Sequence, residues 1–221
     1  MTFLNRKLLR ITAGLLILAA LLLSPSALHA RRLYYAEEFY LYVMNLYPVN
    51  GSLERNIRFM QWALVAPFDN PVKSLAVIEN ENDWERYKTL FKLHANLLII
   101  DSSLQLGRRF DKEHLFFFNF WYAEQLKESF LIARYHYETA LRYWDEASRY
   151  AQIAQQLPGR ISIDEWEDDL FLIEEGELDY MRIIEEHIGR LESKLSAVEE
   201  YLKAAEADTS AEANTSAEAD A

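Results

Sequence analysis

From Asp111 to Leu157 the chain contains neither glycine nor proline. Its opening, Phe116-Phe117-Phe118-Asn119-Phe120-Trp121-Tyr122, places apolar side chains in every helical direction. A helix that is apolar all round must be covered on all sides. Glu124, Lys127 and Glu128 make the run too short for a bilayer span. The stretch therefore predicts a central helix with others laid around it. No apolar run follows the two-residue period of a strand, so the fold class expected is all-α: antiparallel hairpins around a central aromatic helix, with a long C-terminal amphipathic helix.

Hydrophobic residues make up 51% of the 221, enough for a sizeable core. The absence of cysteine excludes disulfides, thiol catalysis, thiolate metal sites and a lipid anchor through cysteine. The net charge of −12 is unevenly placed: residues 1–30 carry +3, residues 31–160 are neutral and residues 161–221 carry −15. An acidic C-terminal third and a middle without a basic patch argue against nucleic acid as a partner.

In chain order, Arg6, Lys7 and Arg10 precede an apolar core from Ile11 to Leu23, and Ser24-Pro25-Ser26 breaks it. That is the pattern of a secretory signal. Ala30 is a candidate cleavage position, whereas Arg31 and Arg32 favour a retained anchor through residues 11–30. Either outcome places residues 31–221 in the periplasm or otherwise outside the cytoplasm, soluble or anchored in the inner membrane. Residues 31–160 are expected to form the helical domain. Within it Tyr35, Phe39, Tyr42 and Leu46 share one helix face, and Ser52 is the N-cap of the next helix, whose stripe is Leu53, Ile57, Met60 and Leu64. Asp83 is expected to cap a helix with stripe Leu90, Leu93, Leu97, Ile100 and Leu104, which Gly107 ends. Asp111 is expected to cap the central helix, and Tyr143-Trp144-Asp145 to break it.

Residues 161–206 predict an acidic helical segment. Ser162 and Glu165 suggest a capping box, Ile163, Trp166, Leu170 and Ile173 a stripe, and Gly176 an interruption. Met181, Ile184, Ile188, Leu191, Leu195, Val198 and Leu202 then recur three and four apart, a heptad seam. The seam is the candidate partner-binding surface, for another envelope protein or a second copy of the chain; folding back on its own domain is the alternative. Residues 207–221 repeat Ala-Asp/Asn-Thr-Ser-Ala-Glu, and disorder is expected there.

Tyr143-Trp144-Asp145-Glu146-Ala147, with Tyr150, Ala154 and Pro158 following, resembles the second half of a tetratricopeptide repeat. In that family an aromatic-Asp-x-Glu-Ala turn joins paired helices, a small residue recurs seven positions after the Ala, and Pro ends the unit. This chain departs from the pattern at Ala151, where a large aromatic is usual, and at Pro158, which arrives one residue early. The resemblance implies stacked hairpins and protein–protein scaffolding. In outline such a chain is similar to accessory subunits of envelope machines, the collar of the periplasmic flagellar motor among them.

Little in the sequence points to chemistry. Asp111 and His114 have one-turn chelating spacing, but no Glu-x-x-His motif accompanies them, and no metal or cofactor is expected. With only 6 glycines there is no nucleotide loop. His94 and Asp101 share a face of an apolar helix, and Arg134 is the candidate partner of Asp101. A polar bridge between helices is the expectation. The competing reading is an exported ligand-binding or enzymatic domain in which His94, Asp101 and aromatic side chains line a pocket. The leading one is a non-enzymatic exported scaffold.

Overall fold

The computed structural model describes residues 32–46, 52–112 and 120–219. The signal or anchor segment, His114 and the Phe116–Asn119 part of the aromatic run lie outside the described residues. Among those described, all regular structure is helical, as the apolar periods require. The described residues from Tyr34 onward fall in one compact unit, and the helices of the acidic segment from residue 161 share a core with those before it.

Helix α1 (Ala36–Leu46) starts where the Glu38 carboxylate accepts hydrogen bonds from the Tyr34 and Tyr35 N–H groups, at 2.7 and 3.2 Å. Its buried apolar residues are Ala36, Tyr40 and Val43, one step from the expected Tyr35/Phe39/Tyr42 face, and Glu37 is buried beside them. Helix α2 (Leu53–Val65) begins at Ser52, whose hydroxyl accepts from the Arg55 N–H at 3.3 Å. It stops before Pro67, and a short 3-10 turn follows at Pro71–Lys73.

Helix α3 (Glu81–Asp111) is capped by Asn80 rather than Asp83. The Asn80 side chain accepts from the Asp83 N–H at 3.1 Å, and the Asp83 carboxylate accepts from the Glu79 N–H at 3.1 Å. The predicted stripe from Leu90 to Leu104 is buried throughout. So are Tyr87, Phe91, Ala95, Ile99 and Leu106 on other faces. The central helix is thus α3, not the one that follows the aromatic run. Buried polar residues dilute its apolar pattern in the sequence, and two of them donate to carbonyls of the helix itself. Thr89 donates to the Glu85 carbonyl at 2.8 Å and Asn96 to the Lys92 carbonyl at 2.7 Å.

Gly107 does not end α3. The helix runs to Asp111 and closes at Lys112 in the left-handed region, φ 40°. Gly107 is instead where the Tyr137 ring lies against the backbone, and a Cβ built there collides with that ring. Tyr137 is fully buried and its hydroxyl donates to Asp111 at 3.3 Å, so it has nowhere to swing. Gly107→Ala is expected to lower stability by roughly 1–3 kcal/mol through overpacking. This outweighs the ~1 kcal/mol that alanine normally adds to a helix interior. A thermal melt at or above the parent's would contradict this packing.

Helix α4 (Ala123–Gln156) follows a 3-10 turn at Phe120–Tyr122 and lies antiparallel to α3. Two expectations fail here. Trp121 is 92% exposed and Tyr122 also faces water, so this part of the aromatic run is not covered. Nor is there a turn at Tyr143–Asp145: the helix passes straight through, with Trp144 buried edge-on to Tyr180. The turn that the tetratricopeptide resemblance implied is absent. Ala147 and Ala154 recur seven apart because that is two helical turns, on a buried stripe with Ala133, Tyr137, Ala140, Trp144 and Ala151. Small side chains on this stripe let α3 and α4 approach closely.

Helix α5 (Asp164–Glu174) lacks the expected capping box. Ser162 accepts instead from the Val77 N–H at 3.2 Å and ties α5 to the connector before α3. Trp166 and Leu170 are buried as the stripe predicted, and Gly176 turns the chain with φ 71°. Helix α6 (Tyr180–Ala219) runs back along α4. The alanine-rich repeat expected to be disordered continues this helix to Ala219, in keeping with the helix propensity of Ala and Glu.

Candidate functional site

The sequence placed a partner surface on the seam of α6. In the fold that stripe faces inward. Ile184, Leu191, Leu195 and Val198 are buried, and Met181, Ile188 and Leu202 are partly buried against the same core. The physical reason is on α4, whose own three-and-four stripe offers a matching apolar surface in the same chain. The alternative, a seam folded back on its own domain, is the arrangement found, and these seven residues are not a free interface.

Charged residues fasten this arrangement. Lys194 lies in the middle of the seam, and its ammonium donates to the Asp111 carboxylate at 2.7 Å. Both side chains are buried. Lys194 also stands over the Phe130 ring at 5.9 Å. Asp111 is accordingly not a helix cap but joins the end of α3 to α6; His114, to which its one-turn spacing pointed, lies outside the described residues.

A second buried centre joins α3, α4 and α5. The Arg86 guanidinium meets the Glu167 carboxylate with Nε–Oε1 at 2.9 Å and Nη2–Oε2 at 2.5 Å. Its Nη1 donates to the carbonyls of Ala154 and Leu157, at 3.0 and 2.9 Å, at the C-terminal end of α4. Glu167 also accepts from the Ile161 N–H at 2.8 Å. Burial pushes the Glu167 carboxyl up, but the Arg86 and Ile161 hydrogen bonds outweigh it and hold the group below the ordinary carboxylate value. An open, polar cleft of about 390 Å³ borders this centre, lined by Arg160, Asp168, Phe171 and Glu174 among others.

His94 and Asp101 are not brought together. The His94 ring is buried between Tyr40 and Trp166, with Nδ1 2.6 Å from the Asp169 carboxylate and Nε2 3.9 Å from Glu165. His94 is not in the wall of the Arg86 cleft, nor in that of a small cavity between α1, α2 and α3 lined by Val43, Met60 and Leu98 among others. Asp101 accepts from Gln105 at 2.7 Å on another part of α3, and Arg134 pairs with Glu138 and Glu192 rather than with Asp101. The expected bridge from Asp101 to Arg134 is not formed; His94 makes an interhelical polar bridge instead, to Asp169. Among the described residues no group of three or more His, Asp or Glu side chains is arranged to hold a metal ion.

The outer face of α1 and α2 differs from these interior centres. Phe39 and Tyr42 of α1 meet Phe59 and Trp62 of α2, the Tyr42 and Phe59 rings stacked at 4.5 Å. Trp62 is 45% exposed, and Val65 and Arg58 stand in water on the same helix. Sequence reading recognised the aromatic density of α1 but missed Phe59 and Trp62, whose i,i+3 spacing on the solvent side of α2 was the available signal.

Residues 82–201 match the model of a domain of unknown function, DUF8513, over more than half of the chain. The chain belongs to the DUF8513 family. No curated protein and no solved structure matches it. The DUF8513 region covers α3 from its second residue, α4, α5 and the seam of α6 as far as Val198, and it contains both partners of Arg86–Glu167, His94–Asp169 and Asp111–Lys194. Helices α1 and α2, with their aromatic face, lie outside the DUF8513 match.

Proposed function

We propose that the protein is a non-enzymatic scaffold exported across the inner membrane, released by cleavage or held by residues 11–30, which binds other envelope proteins through the aromatic face of α1 and α2. The observation that carries this reading is the partly exposed Phe39/Tyr42/Phe59/Trp62 cluster beside Arg58 and Val65. Aromatic residues and arginine are the side chains enriched at interface centres. The seam of α6, buried in cis, no longer competes for this role. Export rests on the charged and apolar pattern of residues 6–23; among the described residues no helix is long and apolar enough to cross a membrane.

Two measurements test it. Alkaline phosphatase fused to the C-terminus of the full chain is expected to be active in cells, and an inactive fusion rejects export. A photocrosslinking amino acid at position 62 is expected to give a discrete adduct with another envelope protein. The same group at exposed Gln152 of α4 gives none. Adducts at 152 only, or at neither position, reject the aromatic face as the interface.

A further inference from the structure

A small cavity opens between α1, α2 and α3, with a volume of about 130 Å³. Val43 and Met44 of α1, Met60 of α2 and Leu98 of α3 form its apolar wall. Asn56, Asp101 and Ser102 supply the polar groups. Asn56 is only 5% exposed, and its side-chain Nδ2 is buried with no hydrogen-bond partner. A buried donor left unpaired carries a desolvation penalty, so such an atom calls for an acceptor. Asp101 accepts from the neutral Gln105 amide at 2.7 Å, and among the described residues no basic one lines the cavity. An acceptor-only carboxylate in a wall without compensating cations favours a positively charged guest. The volume holds several waters, enough for a branched alkyl group with a polar head. Met44, 36% exposed, stands at the mouth, and methionine side chains adapt to irregular guests.

We propose that this cavity binds a small organic cation of the amino-alcohol class. The ammonium group donates to Asp101. The hydroxyl oxygen accepts from the Asn56 amide, and its proton is donated to Ser102. The alkyl body lies among Val43, Met60 and Leu98. This binding site is independent of the scaffold reading, since it uses the inner junction of α1, α2 and α3 rather than the outer aromatic face.

The test uses the full chain with methionine methyl groups labelled with carbon-13. Met44 and Met60 line the cavity, and Met181 on α6 is the internal control. Titration with valinol is expected to shift the Met44 and Met60 signals saturably and to leave Met181 in place. Isobutanol, which has a similar body without the ammonium, is expected to bind about tenfold more weakly or worse, the loss of one charge-assisted hydrogen bond. Asp101→Asn should erase that preference. Valinol leaving both methionines unmoved, or the unaltered protein binding valinol and isobutanol equally, overturns the proposal and assigns the cavity to solvent. Equal valinol binding by Asp101→Asn and the unaltered protein overturns it as well.

Discussion

Changing Leu191 and Leu195 together to Asp is expected to abolish the cooperative unfolding transition of the protein. Both side chains are buried on the inner face of α6. Each substitution forfeits about 1.5–3 kcal/mol of apolar burial. Each also places a carboxylate in the apolar core, and Lys194, the buried cation of this seam, is already engaged by Asp111. A buried unpaired charge adds several kcal/mol more. The pair together exceeds the ~5–15 kcal/mol by which a domain of this size is stable. Circular dichroism during heating is the measurement, with Ser193→Asp on the exposed side of the same turn as the control that melts normally. A sharp transition retained by the double variant would mean that α6 does not dock on α4.

The docking of α6 shows where sequence reading succeeds and where it stops. The seam from Met181 to Leu202 is legible because helical periodicity is a local property. Which surface covers it is not local, and it depends on a second stripe some fifty residues earlier, on α4. That stripe was partly misread. Ala147 and Ala154 lie on it, both fully buried. The aromatic-Asp-x-Glu-Ala segment beside them suggested a turn, which the continuous helix overrides. A Tyr-Trp-Asp sequence has no intrinsic helix breaker, and Trp144 finds a buried place against Tyr180 without one.

The polar centres were less legible still. Arg86 and Glu167 are 81 positions apart, and Asp111 and Lys194 are 83. Nothing in the neighbourhood of Lys194 marks it as buried. On sequence alone it is one of few basic residues in an acidic helix, which reads as surface charge relief. Asp101 and His94 show the reverse error. They share a helix face, but the helix turns each toward a different neighbour, so a spacing that suggests a pair gives two separate contacts. The α3 helix was likewise undervalued because Thr89, Asn96, Ser102 and Ser103 dilute its apolar pattern, although all four are buried.

Arg86→Met is the second substitution expected to have a large effect. It leaves the Glu167 carboxylate buried with the Ile161 N–H as its remaining hydrogen-bond donor, and it strips the Ala154 and Leu157 carbonyls of the guanidinium. Removing one member of a buried pair costs about 3–5 kcal/mol at neutral pH. The pH dependence separates this cause from a simple packing defect. In the parent protein the Glu167 carboxyl is held below its unfolded value. Its contribution is therefore fully present above the unfolded value and is lost as pH falls through the lower, folded value. Without Arg86 the burial that raises the group is largely unopposed, so the variant's folded form prefers the neutral acid and gains relative stability on acidification. The stability gap between the two proteins, measured by urea unfolding at about pH 7 and about pH 4, around the ordinary carboxylate value, is expected to narrow at the lower pH. Arg86→Met with Glu167→Leu should recover part of the loss at neutral pH, because no buried charge is then left unpaired. A gap of the same size at both pH values, with no recovery in the double variant, would locate the loss in the packing of the Arg86 stem and not in the ion pair.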